Sequence, residues 1–156
     1  MKSFKQTFEE AQNTFTGYHN TTAKTAAKIR AVGFKLQKKA KRKRLYGNGI
    51  YFTNEPNTRW GPFAIEVEIF SVNPLVDMGG NIAYEGNPLG DAVEDIGKML
   101  FKSFHMSDAV KRALAIEKYL NDYNHDLLVT DEMGKTIYVV RDEKIINIVK
   151  FSLERK

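Results

Sequence analysis

The stretch Phe63-Ala64-Ile65-Glu66-Val67-Glu68-Ile69-Phe70 alternates apolar and charged side chains through its centre. Alternation with a period of two is typical of a β-strand with one buried face, and this is the clearest strand in the chain. Two other apolar segments, Asp126–Thr130 and Thr136–Val140, flank residues 131–135 and predict a β-hairpin with a five-residue turn. A last strand is expected over Ile145–Phe151.

Helical periodicity surrounds these strands and predicts helices over residues 3–13, 23–32, 91–104 and 107–122. Thr21 or Thr22 can cap the second helix, Gly33 ends it, and Ser107 can cap the last. Shorter strands are expected at Thr14–His19, Phe34–Leu36 and Ile50–Phe52, and irregular connections over the glycine- and proline-rich residues 74–90. Strands interleaved with helices, without repeated βαβ units, predict an α+β fold. The length of 156 residues predicts a single domain over 1–156.

Composition excludes several classes of protein. Apolar residues make up 42% of the chain, enough for a packed core, and no apolar run approaches the ~20 residues of a membrane span. Cysteine is absent, which excludes disulfides, thiolate catalysis and zinc–cysteine sites and is compatible with a cytoplasmic location. His19, His105 and His125 lack neighbouring ligands at helical or turn spacing, so no metal site is expected.

The net charge of +5 is unevenly distributed. Residues 24–44 contain ten Lys or Arg and no acid, which leaves the remaining chain at −5. A solvated loop would account for scattered cations. The dense run, referred to below as the basic segment, is either a solvated loop or a contact for an anionic partner, such as phosphate groups, nucleic acid or an acidic protein surface. Its cations are Lys38, Lys39, Lys41, Arg42, Lys43 and Arg44.

Three short motifs follow one another in the chain. The first is Gly17-Tyr18-His19-Asn20-Thr21, followed by a short helix and Gly33-Phe34; the second is Tyr46-Gly47-Asn48-Gly49-Ile50-Tyr51-Phe52. The third is Thr136-Ile137-Tyr138-Val139-Val140-Arg141-Asp142. This ordered set resembles the ADP-ribosyltransferase fold, in the branch that includes diphtheria toxin and the poly(ADP-ribose) polymerases. The resemblance covers most of the chain, although each motif is short.

The resemblance implies a fold of split antiparallel sheets with flanking helices, and NAD⁺ as a substrate. In the family pattern, the residue matching His19 hydrogen-bonds the adenosine-side ribose, and the one matching Tyr51 stacks on nicotinamide. The backbone at Asn20, beside Thr21, would bond the carboxamide, and Trp60 would close the ring sandwich. Without the resemblance, His19 would be an ordinary half-buried polar residue, and Tyr51 and Trp60 would be packing residues.

Two positions depart from the family pattern. Asn20 stands where the family has glycine, and Ile137 stands where it has the glutamate that bonds the nicotinamide-side ribose. Polymer formation is therefore not expected, because chain-extending members require that glutamate. Three alternatives remain open: the acceptor supplies a carboxylate, Asp131 or Glu132 reaches the site from the preceding turn, or the domain is inactive. As a turn, residues 131–135 would need no catalytic role.

The sequence thus favours a mono-ADP-ribosyltransferase that modifies a protein or nucleic acid, as a bacterial toxin or phage effector would in a host cytoplasm. One alternative is a module that binds NAD⁺ or ADP-ribose without turnover, which Asn20 and Ile137 favour. Another is a basic nucleic-acid-binding protein whose resemblance to the transferases is accidental. Release of nicotinamide from NAD⁺ separates the first from the other two.

Overall fold

The computed structural model describes residues 13–36 and 45–153. Within these two ranges, seven strands alternate irregularly with three helices, which confirms the α+β class. The strands are β1 Asn13–Thr21, β2 Ile50–Thr53, β3 Phe63–Ser71, β4 Pro74–Asp77, β5 Leu127–Glu132, β6 Lys135–Val140 and β7 Ile146–Leu153. The helices are α1 Ala23–Val32, α2 Pro88–Leu100 and α3 Ala109–Asp122. Single turns of 3₁₀ helix lie at Thr58–Trp60, Asn81–Ala83 and Glu143–Ile145.

The strands form one sheet in the order β4-β5-β6-β2-β1-β3-β7. All neighbours are antiparallel except β4 and β5, which pair in parallel, so the expectation of purely antiparallel sheets is wrong at this edge. β1 runs beside β3 along its full length, from Asn13 opposite Ser71 to Thr21 opposite Phe63. Its pairing with β2 is recorded only at Tyr18 and Thr53 among the described residues. At the centre of the sheet, β1 and β2 are therefore joined by a single residue pair among the described residues.

A hydrophobic core lies on each face of the sheet. On one face, Ile29 of α1 and Phe34 pack on the inward side chains of the strands, among them the fully buried Phe52 and Ile65. On the other face, α2 and α3 cover Leu128 and Val139. Alternate residues of one strand therefore serve opposite cores, as the two-residue period of a strand requires.

The local signals around α1 are confirmed. The Thr22 side chain accepts a hydrogen bond from the Thr25 backbone N–H, and the N–H of Gly33 closes the helix on the Ile29 carbonyl. The next segment, Phe34–Leu36, was expected to be a strand but is not one. The helix predicted over residues 3–13 lies outside the described residues, apart from Asn13, which belongs to β1.

Other boundaries differ from the expectations. Residues 74–90, expected to be irregular, contain β4 and the start of α2, which Asn87 caps. α3 is capped by Asp108 rather than Ser107. The predicted five-residue turn is a two-residue turn at Met133 and Gly134, because both strands of the hairpin extend further than expected.

Across the described residues, helices remain too short or too polar to traverse a lipid bilayer.

Candidate functional site

A cleft lies where β1 and β2 separate beyond the Tyr18–Thr53 pair. It has a volume of about 250 Å³. One wall is formed by α1 and the segment that follows it to Lys35, and the other by residues 48–51; His19 also lines it. We call this the His19 cleft. The first two sequence motifs therefore meet at one place, together with Gly33-Phe34.

His19 lies with its ring among aromatic side chains. The ring meets Phe34 and Phe52 edge to face, with centroids 5.4 and 5.8 Å away. Its Nδ1 lies 3.1 Å from the backbone carbonyl oxygen of Tyr51. A carbonyl oxygen can only accept, so the imidazole that makes this bond carries a proton on Nδ1. In the neutral ring, Nε2 then has a lone pair and acts as an acceptor.

Tyr51 is held through its hydroxyl by the loop that precedes β2. The hydroxyl donates to the Gly47 carbonyl at 2.7 Å and accepts from the Tyr46 backbone N–H at 3.0 Å. The side chain also packs against the core that α2 and α3 cover. Tyr51 therefore combines a cleft-lining position with a structural role in closing its own loop.

The two glycines of this loop permit close approach to neighbouring elements. Gly47 has φ of +85°, and a Cβ there would lie 2.7 Å from Cβ of Glu117 on α3. At Gly49 a Cβ would lie 2.6 Å from Cγ1 of Val139 on β6. Side chains at these positions would push the loop away from α3 and β6. Packing alone therefore accounts for both glycines.

Arg141, which the sequence analysis did not single out, fixes the middle of the same loop. Its guanidinium donates to the Asn48 carbonyl and to Oδ1 of Asn121 on α3. Glu117 Oε1 lies 3.8 Å from Nη1. Burial lowers the pKa of Arg141, and the nearby Glu117 carboxylate opposes that shift. The available sequence signal was a cation directly after the apolar run that ends β6.

Asn20 holds the segment that carries Trp60. Its side-chain amide donates to the Gly61 carbonyl at 3.1 Å and accepts from the Asn57 backbone N–H at 2.7 Å. Trp60 itself is 64% exposed and does not line the His19 cleft, so it is not a buried packing anchor. The Arg59 guanidinium lies 5.7 Å from its ring centroid. Asn20 therefore acts here through its side chain, which the glycine of the family pattern lacks, and Thr21 is buried beside it.

Ile137 lies on the same face of the sheet as Tyr51. The register pairs Tyr51 with Val139 and Thr53 with Ile137, and side chains two residues apart share a face. Both residues pack against the same core. Asp131 and Glu132 line a different cleft, together with Tyr46, and the Asp131 carboxylate accepts a hydrogen bond from the Gly79 N–H. In this arrangement neither carboxylate lines the His19 cleft.

The charge around the His19 cleft is positive on the α1 side. Lys28 and Lys35 line it, and the Lys35 ammonium pairs with Glu143 at 3.3 Å. The other oxygen of that carboxylate accepts from the Leu36 N–H at 3.3 Å, which ties down the chain after α1. The basic segment lies outside the described residues.

Comparison with known proteins identifies no relative from which function could be inferred. No family model matches the chain, and neither does any curated protein. Among solved structures, the chain is similar to one described as the crystal structure of an anti-CRISPR protein. The two are 11% identical with a TM-score of 0.46, and the alignment covers 89% of this chain and 98% of the other. Similarity at this level carries no argument about fold or function.

Proposed function

We propose that this protein is an NAD⁺-dependent mono-ADP-ribosyltransferase of the toxin or phage-effector kind, acting in the cytoplasm. One observation carries the proposal: the hydrogen bond between the His19 ring and the Tyr51 carbonyl, at the edge of a cleft. It joins two of the motifs on which the family resemblance rests.

The His19 cleft has the chemistry of an adenosine-side pocket. In the neutral His19 ring, Nε2 can accept a hydrogen bond from a ribose hydroxyl. Lys28 supplies positive charge for a diphosphate, whereas the charge of Lys35 is balanced by Glu143. With a volume of about 250 Å³, the cleft suits part of a dinucleotide, and we assign the nicotinamide to a position beside Tyr51, which lines it.

Transfer breaks the bond between the ribose carbon and the nicotinamide nitrogen. Nicotinamide leaves with the bonding electrons, the ribose carbon becomes cation-like, and an acceptor nucleophile attacks it from the opposite side. The protein must hold the ribose and the nicotinamide ring in fixed orientation, which the tied His19 and Tyr51 would do. Ile137 provides no carboxylate to orient a ribose hydroxyl, which is why we propose transfer of a single unit.

A second candidate is a module that binds NAD⁺ or ADP-ribose without turnover. Ile137 favours it, and so does the placement of Asp131 and Glu132 in a different cleft. Calorimetric titration with NAD⁺ and with ADP-ribose, run beside an assay for free nicotinamide, separates the two. Binding with nicotinamide release supports the transferase, and binding without release supports the module.

A further inference from the structure

A second cleft, of about 360 Å³, is lined by Tyr46, Tyr84, Arg112, Asp131 and Glu132 among others. Its volume falls in the range typical of small-molecule sites. The backbone N–H of Tyr46, which lines this cleft, donates to the hydroxyl of Tyr51, which lines the His19 cleft. We propose that this second cleft binds a guanine base of a single-stranded nucleic acid.

The polar groups of the second cleft include both a hydrogen-bond donor group and hydrogen-bond acceptors. Arg112 donates from Nη1 to the Met106 carbonyl at 3.0 Å, and its buried Nε finds no hydrogen-bond partner within the part of the chain that the structure describes. Asp131 and Glu132 contribute carboxylates. Within the same part of the chain, no ion pair joins Arg112 to either carboxylate. Asp131 already accepts from the Gly79 N–H, so Glu132 and the remaining Arg112 N–H groups offer the acceptor and donor capacity for a ligand.

This combination selects a neutral ligand with both donors and acceptors. The two carboxylates disfavour a simple anion, and the guanidinium offers donors that a simple cation cannot use. Guanine presents adjacent N1–H and N2–H donors, which suit a carboxylate, and the O6 and N7 acceptors, which suit a guanidinium. Burial and the negative charge of Glu132 raise the pKa of Tyr46 to about 12, so its phenol stays neutral beside such a base.

The aromatic and apolar groups at the cleft suit a base from a flexible strand. Tyr84 is 64% exposed and offers a face for stacking, and Met133 at the rim is 96% exposed. Stacking on aromatic rings is a general means by which proteins hold unpaired bases. In the sequence, the six cations of the basic segment end one residue before Leu45, which also lines the cleft. That charge favours a phosphate backbone over a cationic peptide.

Binding of a fluorescent oligothymidylate with one central guanine tests the inference, at fixed salt and without NAD⁺. The matched probes carry thymine or inosine at the same place, because inosine lacks the N2 amino group. We expect the guanine probe to bind about tenfold more tightly than the thymine probe, with inosine between them. An RNA version of the guanine probe shows whether the sugar matters.

Three variants test whether the preference for the guanine probe arises in the second cleft. Tyr84→Ala should weaken binding of the guanine probe about tenfold, and Glu132→Gln and Arg112→Lys should remove the preference for guanine. Tyr123→Ala is the control, because Tyr123 is 58% exposed on the end of α3, among Tyr119 and His125, away from the cleft lining. Thermal unfolding shows whether each variant is folded.

Equal affinity for all probes would overturn the inference, and so would a guanine preference that survives all three substitutions. Glu132-dependent binding of an arginine-rich peptide, without a guanine preference, would overturn it as well. The assay contains no NAD⁺, so its outcome is independent of nicotinamide release. Failure of the base site and failure of the proposed transferase activity are therefore distinguished.

Discussion

Nδ1 of His19 lies 3.1 Å from the carbonyl oxygen of Tyr51, which is 32 positions away in the chain. The bond fixes the ring at the point where β1 and β2 separate. It also sets the proton on Nδ1, which leaves an acceptor lone pair on Nε2 when the ring is neutral. The contact between the first two motifs thus has two roles: it holds the His19 ring in place, and it determines which ring nitrogen carries the proton.

Two substitutions of His19 separate these roles. His19→Asn keeps a donor near the position of Nδ1 but has no group at the position of Nε2. We expect it to retain most of the unfolding free energy while NAD⁺ affinity falls about tenfold, the usual cost of a lost hydrogen bond to a ligand. We expect His19→Ala to lower both the unfolding free energy and the NAD⁺ affinity. Calorimetry and chemical denaturation measure the two effects, and undiminished NAD⁺ affinity in both variants would rule out the ribose contact.

Tyr51→Phe keeps the aromatic face and removes the hydroxyl. Because that hydroxyl bonds the Gly47 carbonyl and the Tyr46 N–H, we expect the free energy of unfolding to fall by about 1–3 kcal/mol. Tyr51→Ala also removes the stacking face. We therefore expect it to bind NAD⁺ more weakly than Tyr51→Phe does, by about 1–3 kcal/mol in binding free energy. If both variants bind NAD⁺ equally, the ring does not stack on nicotinamide.

Replacing Arg141 should disturb the loop around Asn48. Arg141→Met removes a buried guanidinium that bonds Asn48 and Asn121, so we expect a loss of about 3 kcal/mol of stability. Lys118→Gln is the control: it breaks an exposed ion pair with Asp122 on the same helix and should cost less than about 1 kcal/mol. Urea denaturation of the two proteins gives the comparison, and similar losses would contradict the role given to Arg141.

Because of Tyr46, we expect the free energy of unfolding to depend on pH in the alkaline range. Its pKa is raised to about 12 in the folded protein, chiefly by burial and then by Glu132. The folded state therefore holds the phenolic proton more tightly than the unfolded chain does. The resulting stabilisation is complete below pH 10 and is lost as the pH rises toward 12. Tyr46→Phe should flatten this part of the curve, and an unchanged slope would exclude the burial effect.

Sequence patterns located most strands but not their pairing. The alternation that ends at Ile69 predicted β3 because one face of that strand is buried along its length. β4 escaped prediction because it has four residues, begins at Pro74 and pairs in parallel with a strand far along the chain. The hairpin turn was misplaced because charged residues at Glu132 and Lys135 resemble a loop, although they form the last pair of the ladder.

The candidate site was predictable where it depends on local motifs. His19 and Tyr51 stand in recognisable short patterns, and the structure brings them into contact. The Arg141 guanidinium donates to the backbone carbonyl of Asn48, which is 93 positions away, and a short sequence pattern cannot predict so distant a contact. The same reason applies to Asn20: the family resemblance implies a backbone contact to nicotinamide there, but it gives no sign that the Asn20 side chain donates to the distant Gly61 carbonyl.

Release of free nicotinamide from NAD⁺ by the purified protein, with cell lysate as the source of acceptors, is the most direct test of the transferase proposal. We expect nicotinamide to accumulate with the wild-type protein, and His19→Ala, folded by circular dichroism, to release none. The absence of release from folded wild-type protein would contradict the transferase proposal.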